Sequence, residues 1–153
     1  MRAPPGGIFG AGRDFPWMQE ELLRRGLKLG DNGIQVREYI YDMPLVMAAA
    51  DLVLCRAGAS TISEITAIAK PAILVPSPNV TANHQEKNAR VLSEQGAAVL
   101  LREAGCGENT LYDEAALLMR ERDRREEMIQ ALTAMAVPDA GEKIYVALRE
   151  IMK

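Results

Sequence analysis

The chain has 153 residues, the length of one ordinary domain. Hydrophobic residues make up 48% of it and aromatic residues only 5%, so we expect a globular protein with an aliphatic core. The formal net charge is −3, which gives no electrostatic reason to bind nucleic acid, and we predict no nucleic-acid partner. No apolar run reaches the roughly 20 residues that cross a bilayer, and the first ten residues lack the apolar stretch of a signal peptide.

The cysteine and histidine content limits the metal chemistry. Cys55 and Cys106 are far apart in the chain and lack metal-type spacing, and His84 is the only histidine. We therefore expect no metal site and no cofactor. A cytoplasmic, reduced protein is the simplest interpretation of this cysteine usage.

The first third of the chain mixes loop signals with periodic segments. Glycine and proline are frequent in residues 1–12, which predicts an irregular leader before a single domain over residues 13–153. The periodicity then predicts a helix, a strand and a second helix, in that order, over residues 17–25, 34–40 and 43–50.

The middle of the chain alternates short apolar runs with helical patterns. Three runs are apolar at every position, which is typical of strands buried on both faces: residues 52–55, 72–75 and 97–101. Helical patterns lie over residues 61–69 and 81–95, and two further helices follow residue 110, separated near Pro138. This alternation predicts an α/β fold with a Rossmann-like doubly wound parallel sheet. Ligands bind at the carboxyl ends of such strands, so the candidate loops are residues 39–42, 56–60 and 77–85.

The loop after the first apolar run has the composition of a phosphate site. Small residues between Arg56 and Ser60 would let a ligand approach the backbone. The helix that follows would present free N–H groups and a positive dipole end, which suits a phosphate or diphosphate. The alternative is a plain strand-to-helix turn in which Thr61 and Glu64 form a capping box, and the spacing alone leaves both open.

A polar cluster follows the second apolar run. His84, Gln85 and Asn88 stand near the start of a predicted helix at spacings that place them on one side. Amide and imidazole groups suit recognition of sugar hydroxyls, and the alternative is a solvated first turn. Two other motifs are incomplete. No Gly-x-Ser-x-Gly elbow accompanies His84, and the glycines of residues 10–12 lack the third glycine of a dinucleotide fingerprint.

Four segments together resemble the C-terminal domain of the MurG glycosyltransferases. They are Tyr-Ile-Tyr-Asp-Met at 39–43, Cys-Arg-Ala-Gly-Ala-Ser-Thr at 55–61, Lys-Pro-Ala-Ile-Leu-Val-Pro at 70–76 and His-Gln-Glu-Lys-Asn-Ala at 84–89. The resemblance implies one Rossmann-like half of a GT-B fold, in a hexosyltransferase. Such enzymes transfer N-acetylglucosamine from UDP-N-acetylglucosamine to a lipid-linked muramyl-pentapeptide in peptidoglycan synthesis.

The resemblance also assigns residues to a UDP-sugar site: Tyr39, Ile40, Gly58, Ala59, Ser60, Thr61, Glu64, His84, Gln85 and Asn88. The backbone of the first two would contact the uracil, and the turn over residues 58–61 would bind the diphosphate through N–H groups. Glu64 would accept hydrogen bonds from the ribose hydroxyls. The two amides would read the hydroxyls of the sugar ring, with the histidine beside them.

Some parts of the family pattern are not found in this chain. The family's N-terminal domain carries the acceptor loop, the base and the membrane-facing patch. The resemblance therefore implies no catalytic residue here and membrane contact only through that missing half. A Gly-Ser-x-Gly-Ala loop is also absent, and residues 7–9 would be a partial replacement for the strand before it.

We accordingly expect the isolated chain to be inactive and to need a missing N-terminal acceptor domain or a partner chain. Two alternatives remain open. One is a non-catalytic UDP-sugar-binding subunit that works with a separate acceptor-domain chain. The other is a GT-B-like epimerase, which would share the nucleotide loop but not the set of His84, Gln85 and Asn88.

Overall fold

The computed structural model describes residues 6–27, 30, 33–80 and 83–152. The chain divides into two compact units, residues 1–49 and residues 50–153. Within the described residues, each unit has its own parallel sheet, one of two strands and one of three. We call them unit 1 and unit 2 and describe each by itself.

Unit 1 is built on two parallel strands. Strand β1 (Gly7–Gly10) pairs with β2 (Ile34–Arg37) in the register Gly7 to Ile34. Helix α1 (Phe15–Arg24) lies between them in the chain, and α2 (Met43–Ala49) follows β2. The irregular conformation predicted for residues 1–12 is therefore wrong for β1. The interpretation of residues 7–9 as a replacement strand agrees with this pairing. Glycines alone do not suggest a strand, and here β2 supplies the hydrogen-bonding partners.

Unit 2 contains three parallel strands in the order β3–β4–β5. They are β3 (Val53–Cys55), β4 (Ala72–Leu74) and β5 (Val99–Leu100). The central strand β4 is fully buried, as its apolar run predicted. Leu54 on the outer strand β3 is 42% exposed, so the prediction of burial on both faces is wrong there. The parallel pairing of the strands in both units confirms the α/β class with parallel strands.

Helices connect the strands of unit 2 and complete its core. Helix α3 (Ala59–Ala67) joins β3 to β4, and α4 (His84–Glu94) joins β4 to β5. Neighbouring parallel strands need long crossover connections, which are usually helical. Ile73 of β4 packs in one cluster with Leu118 and Met128 from the helices after β5.

The C-terminal region forms three helices, where the sequence predicted two. They are α5 (Thr110–Arg120), α6 (Arg122–Met135) and α7 (Ala140–Ile151). The extra break falls at Glu121, whose ψ of 82° is not helical. Arg125 is buried and donates a hydrogen bond to the Leu118 carbonyl near the end of α5, which stabilises that end. None of the helices in the described ranges is long and apolar enough to cross a membrane.

Candidate functional site

The two units hold different parts of the predicted site. Tyr39 and Ile40 belong to unit 1, whereas the residues predicted to contact the diphosphate, ribose and sugar belong to unit 2. In unit 2 those residues occupy the N-cap of α3 and the first two turns of α3 and α4, which follow the carboxyl ends of β3 and β4. This is the edge of a parallel sheet at which ligands bind.

Helix α3 begins with an open N-terminus. Gly58 is its N-cap in an extended conformation, and the first helical bond runs from the Ile62 N–H to the Gly58 carbonyl at 3.0 Å. The preceding N–H groups of the helix, at residues 59–61, thus have no intrahelical acceptor. Together with the positive end of the helix dipole, they form a site suited to an anion.

The capping box considered from the sequence is wrong. Helix α3 starts at Ala59, two residues before the start predicted, so Thr61 is its third residue and not its N-cap. No side chain caps α3 in the part of the chain that the structure describes. Glu64 lies in the second turn, exposed to solvent and available to contact a ligand.

The glycine at the N-cap of α3 is not required by the backbone. Gly58 has φ −64° and ψ 151°, a conformation that any residue adopts. A Cβ built there would lie 3.7 Å from Thr61 Oγ1, which is ordinary van der Waals contact. The fold therefore leaves room for a methyl group, and the absence of one keeps the backbone accessible to a bound molecule.

A glycine pair in unit 1 was considered as part of a dinucleotide fingerprint. The Ala11 N–H donates to the Arg37 carbonyl and the Gly12 N–H to the Glu38 carbonyl, both at 2.9 Å. Because those N–H groups are already bonded to the backbone at the end of β2 and to the residue after it, they are not directed at a phosphate. The geometry therefore does not favour dinucleotide binding at this turn.

Helix α4 contacts two of the candidate loops through its first two turns. It begins at His84, after Asn83 in the left-handed region at φ 54°, whereas the predicted cap Thr81 lies outside the described residues. Gln85 Oε1 accepts a hydrogen bond from the Ser77 N–H at 2.9 Å, and Asn88 Nδ2 donates to the Ala57 carbonyl at 3.1 Å. Both amides are half-buried and His84 is exposed, so the solvated-turn alternative holds only for the histidine.

Charged residues that the sequence analysis did not select also connect these loops. Arg56 donates to the Val75 carbonyl at 3.1 Å and forms an ion pair with Glu103, which follows β5. Glu86 pairs with Arg102 at 3.0 Å. The i,i+4 spacing of Glu86 and Arg90 is a recognisable sequence signal, but the pairs across loops join residues too distant in the chain to be identified from spacing.

The carboxylate of Glu86 is strongly favoured in its charged form. Hydrogen bonds from Asn83, then Arg90 and Arg102, lower its pKa from 4.5 to about 2. A depressed carboxyl pKa adds stability above pH 4.5, and this contribution is lost as the pH falls toward 2. The first turn of α4 is therefore held by charge pairing at neutral pH.

The thiol of Cys55, at the carboxyl end of β3, is held in its neutral form. Burial and, secondarily, the charge of Glu64 raise its pKa from 9.0 to about 11. Between those values the unfolded chain ionises at this site and the folded chain does not, so this group lowers stability as the pH rises through that window.

The raised pKa predicts an alkaline titration for the Cys55 thiol. In a Cys106→Ser background, the alkylation rate of Cys55 by iodoacetamide should rise about tenfold per pH unit beyond pH 9 and level only near pH 11. Adding Glu64→Gln should move the levelling to lower pH, because it removes the neighbouring charge. A plateau near pH 9 in the folded protein would contradict the burial of the thiol.

In unit 1, the loop after β2 holds Ile40 in the interior and Tyr39 at the surface. Ile40 is 8% exposed, and a Cβ on Gly10 would lie only 3.3 Å from its Cδ1, so the glycine permits close packing. Tyr39 and Tyr41 are exposed with ring centroids 4.9 Å apart. An ion pair between Arg37 and Asp42 at 3.1 Å spans the loop.

The fold and the ligand loops define a class of protein, the Rossmann-like α/β domains of GT-B glycosyltransferases. The crystal structure of MurG from Acinetobacter baumannii is similar, with a TM-score of 0.79 and 28% identity over 94% of this chain and 42% of that one. The glycosyltransferase VinC in complex with dTDP (TM-score 0.60, 18% identity, 85% of this chain and 32% of that one) has the same fold. So does ALG13 in solution (TM-score 0.53, 18% identity), with 75% of this chain and 68% of that one covered.

The model of the glycosyltransferase family 28 C-terminal domain matches residues 9–144, and the chain belongs to that family. The UDP-N-acetylglucosamine--N-acetylmuramyl-(pentapeptide) pyrophosphoryl-undecaprenol N-acetylglucosamine transferase of Acetivibrio thermocellus is 48% identical over 120 residues, covering 78% of this chain and 32% of the relative. Its counterpart from Oenococcus oeni is 42% identical over 126 residues, covering 82% and 34%. The chain thus spans about a third of the length of these relatives.

Proposed function

We propose that this chain binds UDP-N-acetylglucosamine as the donor domain of an N-acetylglucosaminyltransferase of peptidoglycan synthesis. The observation that carries the proposal is the open N-terminus of α3 beside the amide residues of α4, joined by the hydrogen bond from Asn88 to the Ala57 carbonyl. The relative from Acetivibrio thermocellus is 48% identical to this chain over 120 residues. Its name supports this donor and a lipid-linked muramyl-pentapeptide acceptor.

The diphosphate would bind the N-terminus of α3. The N–H groups of Gly58, Ala59, Ser60 and Thr61 supply donors, and the helix dipole favours the negative charge. Backbone donors need no side-chain rearrangement, so the site is organised before the ligand arrives.

Glu64 would bind the ribose. A carboxylate accepts two hydrogen bonds at once, which matches the adjacent 2′ and 3′ hydroxyls of a ribose ring. Its exposed position in the second turn of α3, after the proposed diphosphate turn, supports this role.

The sugar would be read from α4. Gln85 and Asn88 each use one amide atom to hold a loop, which leaves further donor and acceptor capacity on both side chains. His84, exposed at the first position of the helix, adds an imidazole beside them. Hydroxyls and an N-acetyl group are suited to such neutral partners.

Catalysis would need groups outside this chain. We assign no catalytic residue to it, and propose that an N-terminal acceptor domain or a partner chain supplies the acceptor site and the base. Contact with the cytoplasmic face of the membrane would likewise be made through that part.

The proposal predicts that Gly58→Ala weakens UDP binding while the protein stays folded. The methyl group fits the protein, and the lower entropy of the unfolded chain offsets the weaker N-cap, so unfolding should change by no more than about 1 kcal/mol. A ligand that must approach the backbone is displaced, so UDP affinity should fall at least about tenfold, or 1.4 kcal/mol. Calorimetric titration of UDP, with thermal unfolding as the control, measures both. Unchanged affinity would place the diphosphate elsewhere.

A further inference from the structure

The peptide that leads into helix α3 is held from the side by α4. Asn88 Nδ2 donates to the Ala57 carbonyl at 3.1 Å, across 31 positions of sequence. Ala57 itself is fully buried and Asn88 is half-buried, so water competes poorly for this bond.

This one hydrogen bond sets the direction of a neighbouring donor. The Ala57 carbonyl and the Gly58 N–H belong to the same planar trans peptide, in which the C=O and N–H bonds point in opposite directions. Fixing the carbonyl toward Asn88 therefore fixes the Gly58 N–H toward the opposite side. Gly58 is also the N-cap of α3, so the same peptide plane sets how the helix starts.

Helix α4 is itself anchored at the turn that carries Asn88. Gln85 is bonded to the Ser77 N–H at 2.9 Å, and Glu86 pairs with Arg90 at 2.8 Å and Arg102 at 3.0 Å. The donor on Asn88 is thus held in place from two sides, by the loop after β4 and by the segment after β5. A bond from an anchored donor restricts the accepting loop more than one from a mobile side chain.

We infer that Asn88 is a positioning residue for the diphosphate turn, in addition to any contact it makes with the sugar. This inference rests on the proposed function. Without the Asn88 amide, the peptide between Ala57 and Gly58 gains rotational freedom, and the turn must be ordered when the ligand binds. The loss therefore falls on every ligand that carries the diphosphate, whether or not it carries a sugar.

The test compares UDP with uridine, which has the same base and ribose but no phosphate. Asn88→Ala should weaken UDP about 2- to 12-fold, the loss of one neutral hydrogen bond, and leave uridine unchanged. Asn88→Asp should weaken UDP further, because a carboxylate cannot donate to the Ala57 carbonyl and repels the diphosphate. Gln95→Ala, an exposed amide at the other end of α4, is the matched control and should change neither affinity.

Two results would overturn the inference. Unchanged UDP affinity with weakened UDP-N-acetylglucosamine would make Asn88 a reader of the sugar alone. Equal losses for UDP and uridine would indicate a general loss of structure, which thermal unfolding of the variant would also report. Failure of the unaltered chain to bind UDP would instead refute the proposed function, and the inference with it.

Discussion

The 153-residue chain on its own is expected to bind UDP-N-acetylglucosamine without transferring the sugar at a measurable rate. Transfer requires the acceptor hydroxyl to be held in line with the anomeric carbon, and positioning of this kind supplies roughly 7–11 kcal/mol. A placed base contributes a further factor of about 10²–10⁴. The proposal assigns both to a part of the enzyme outside the third that this chain spans.

The assay uses UDP-N-acetylglucosamine and a lipid-linked muramyl-pentapeptide, with the purified chain alone and then with a separately expressed N-terminal domain of a relative. Transfer only in the mixture is the expected outcome. Turnover by the chain alone, abolished by His84→Ala, would contradict the account and make His84 the base.

Replacing Glu64 with alanine is expected to weaken UDP by about 1.5–3 kcal/mol, a loss of about 10- to 150-fold, because hydrogen bonds to a charged group are removed. The fold should tolerate the change. Glu64 is exposed, alanine is the best helix former, and the residue takes no part in capping α3. Unfolding should therefore change by no more than about 0.5 kcal/mol.

Glu150→Ala is the matched control, because Glu150 is an exposed glutamate on α7 of the same unit. It removes the same charge from the protein and should leave UDP affinity unchanged. If both variants weaken UDP equally, the effect is one of net charge. If neither does, Glu64 does not hold the ribose.

The parallel sheet of unit 2 was predictable because its central strand is buried on both faces. Ala72, Ile73 and Leu74 are all fully buried, and only apolar side chains satisfy that position. The order of apolar runs and helices predicted that a helix would follow each of β3 and β4, and the structure places α3 and α4 there. For β4, the apolar composition of the sequence and the burial of the strand in the folded protein agree.

The start of α3 was not predictable in the same way. Thr61 and Glu64 satisfy the capping-box pattern, but the helix extends back to Ala59 and uses Gly58 as N-cap. An uncapped N-terminus is unfavourable for an isolated helix, so propensity alone places the start too late. Nor does spacing reveal the hydrogen bond from Asn88 to Ala57, which exists only once β3 and β4 are paired.

Calorimetric titration of the purified chain with UDP, UDP-N-acetylglucosamine, UDP-glucose and ADP tests the central claim most directly. The account predicts that UDP-N-acetylglucosamine binds, that UDP keeps most of that affinity, and that UDP-glucose binds more weakly than UDP-N-acetylglucosamine. ADP should not bind measurably. Absence of UDP binding to the folded chain, or equal binding of UDP and ADP, would contradict its assignment as a UDP-sugar donor domain.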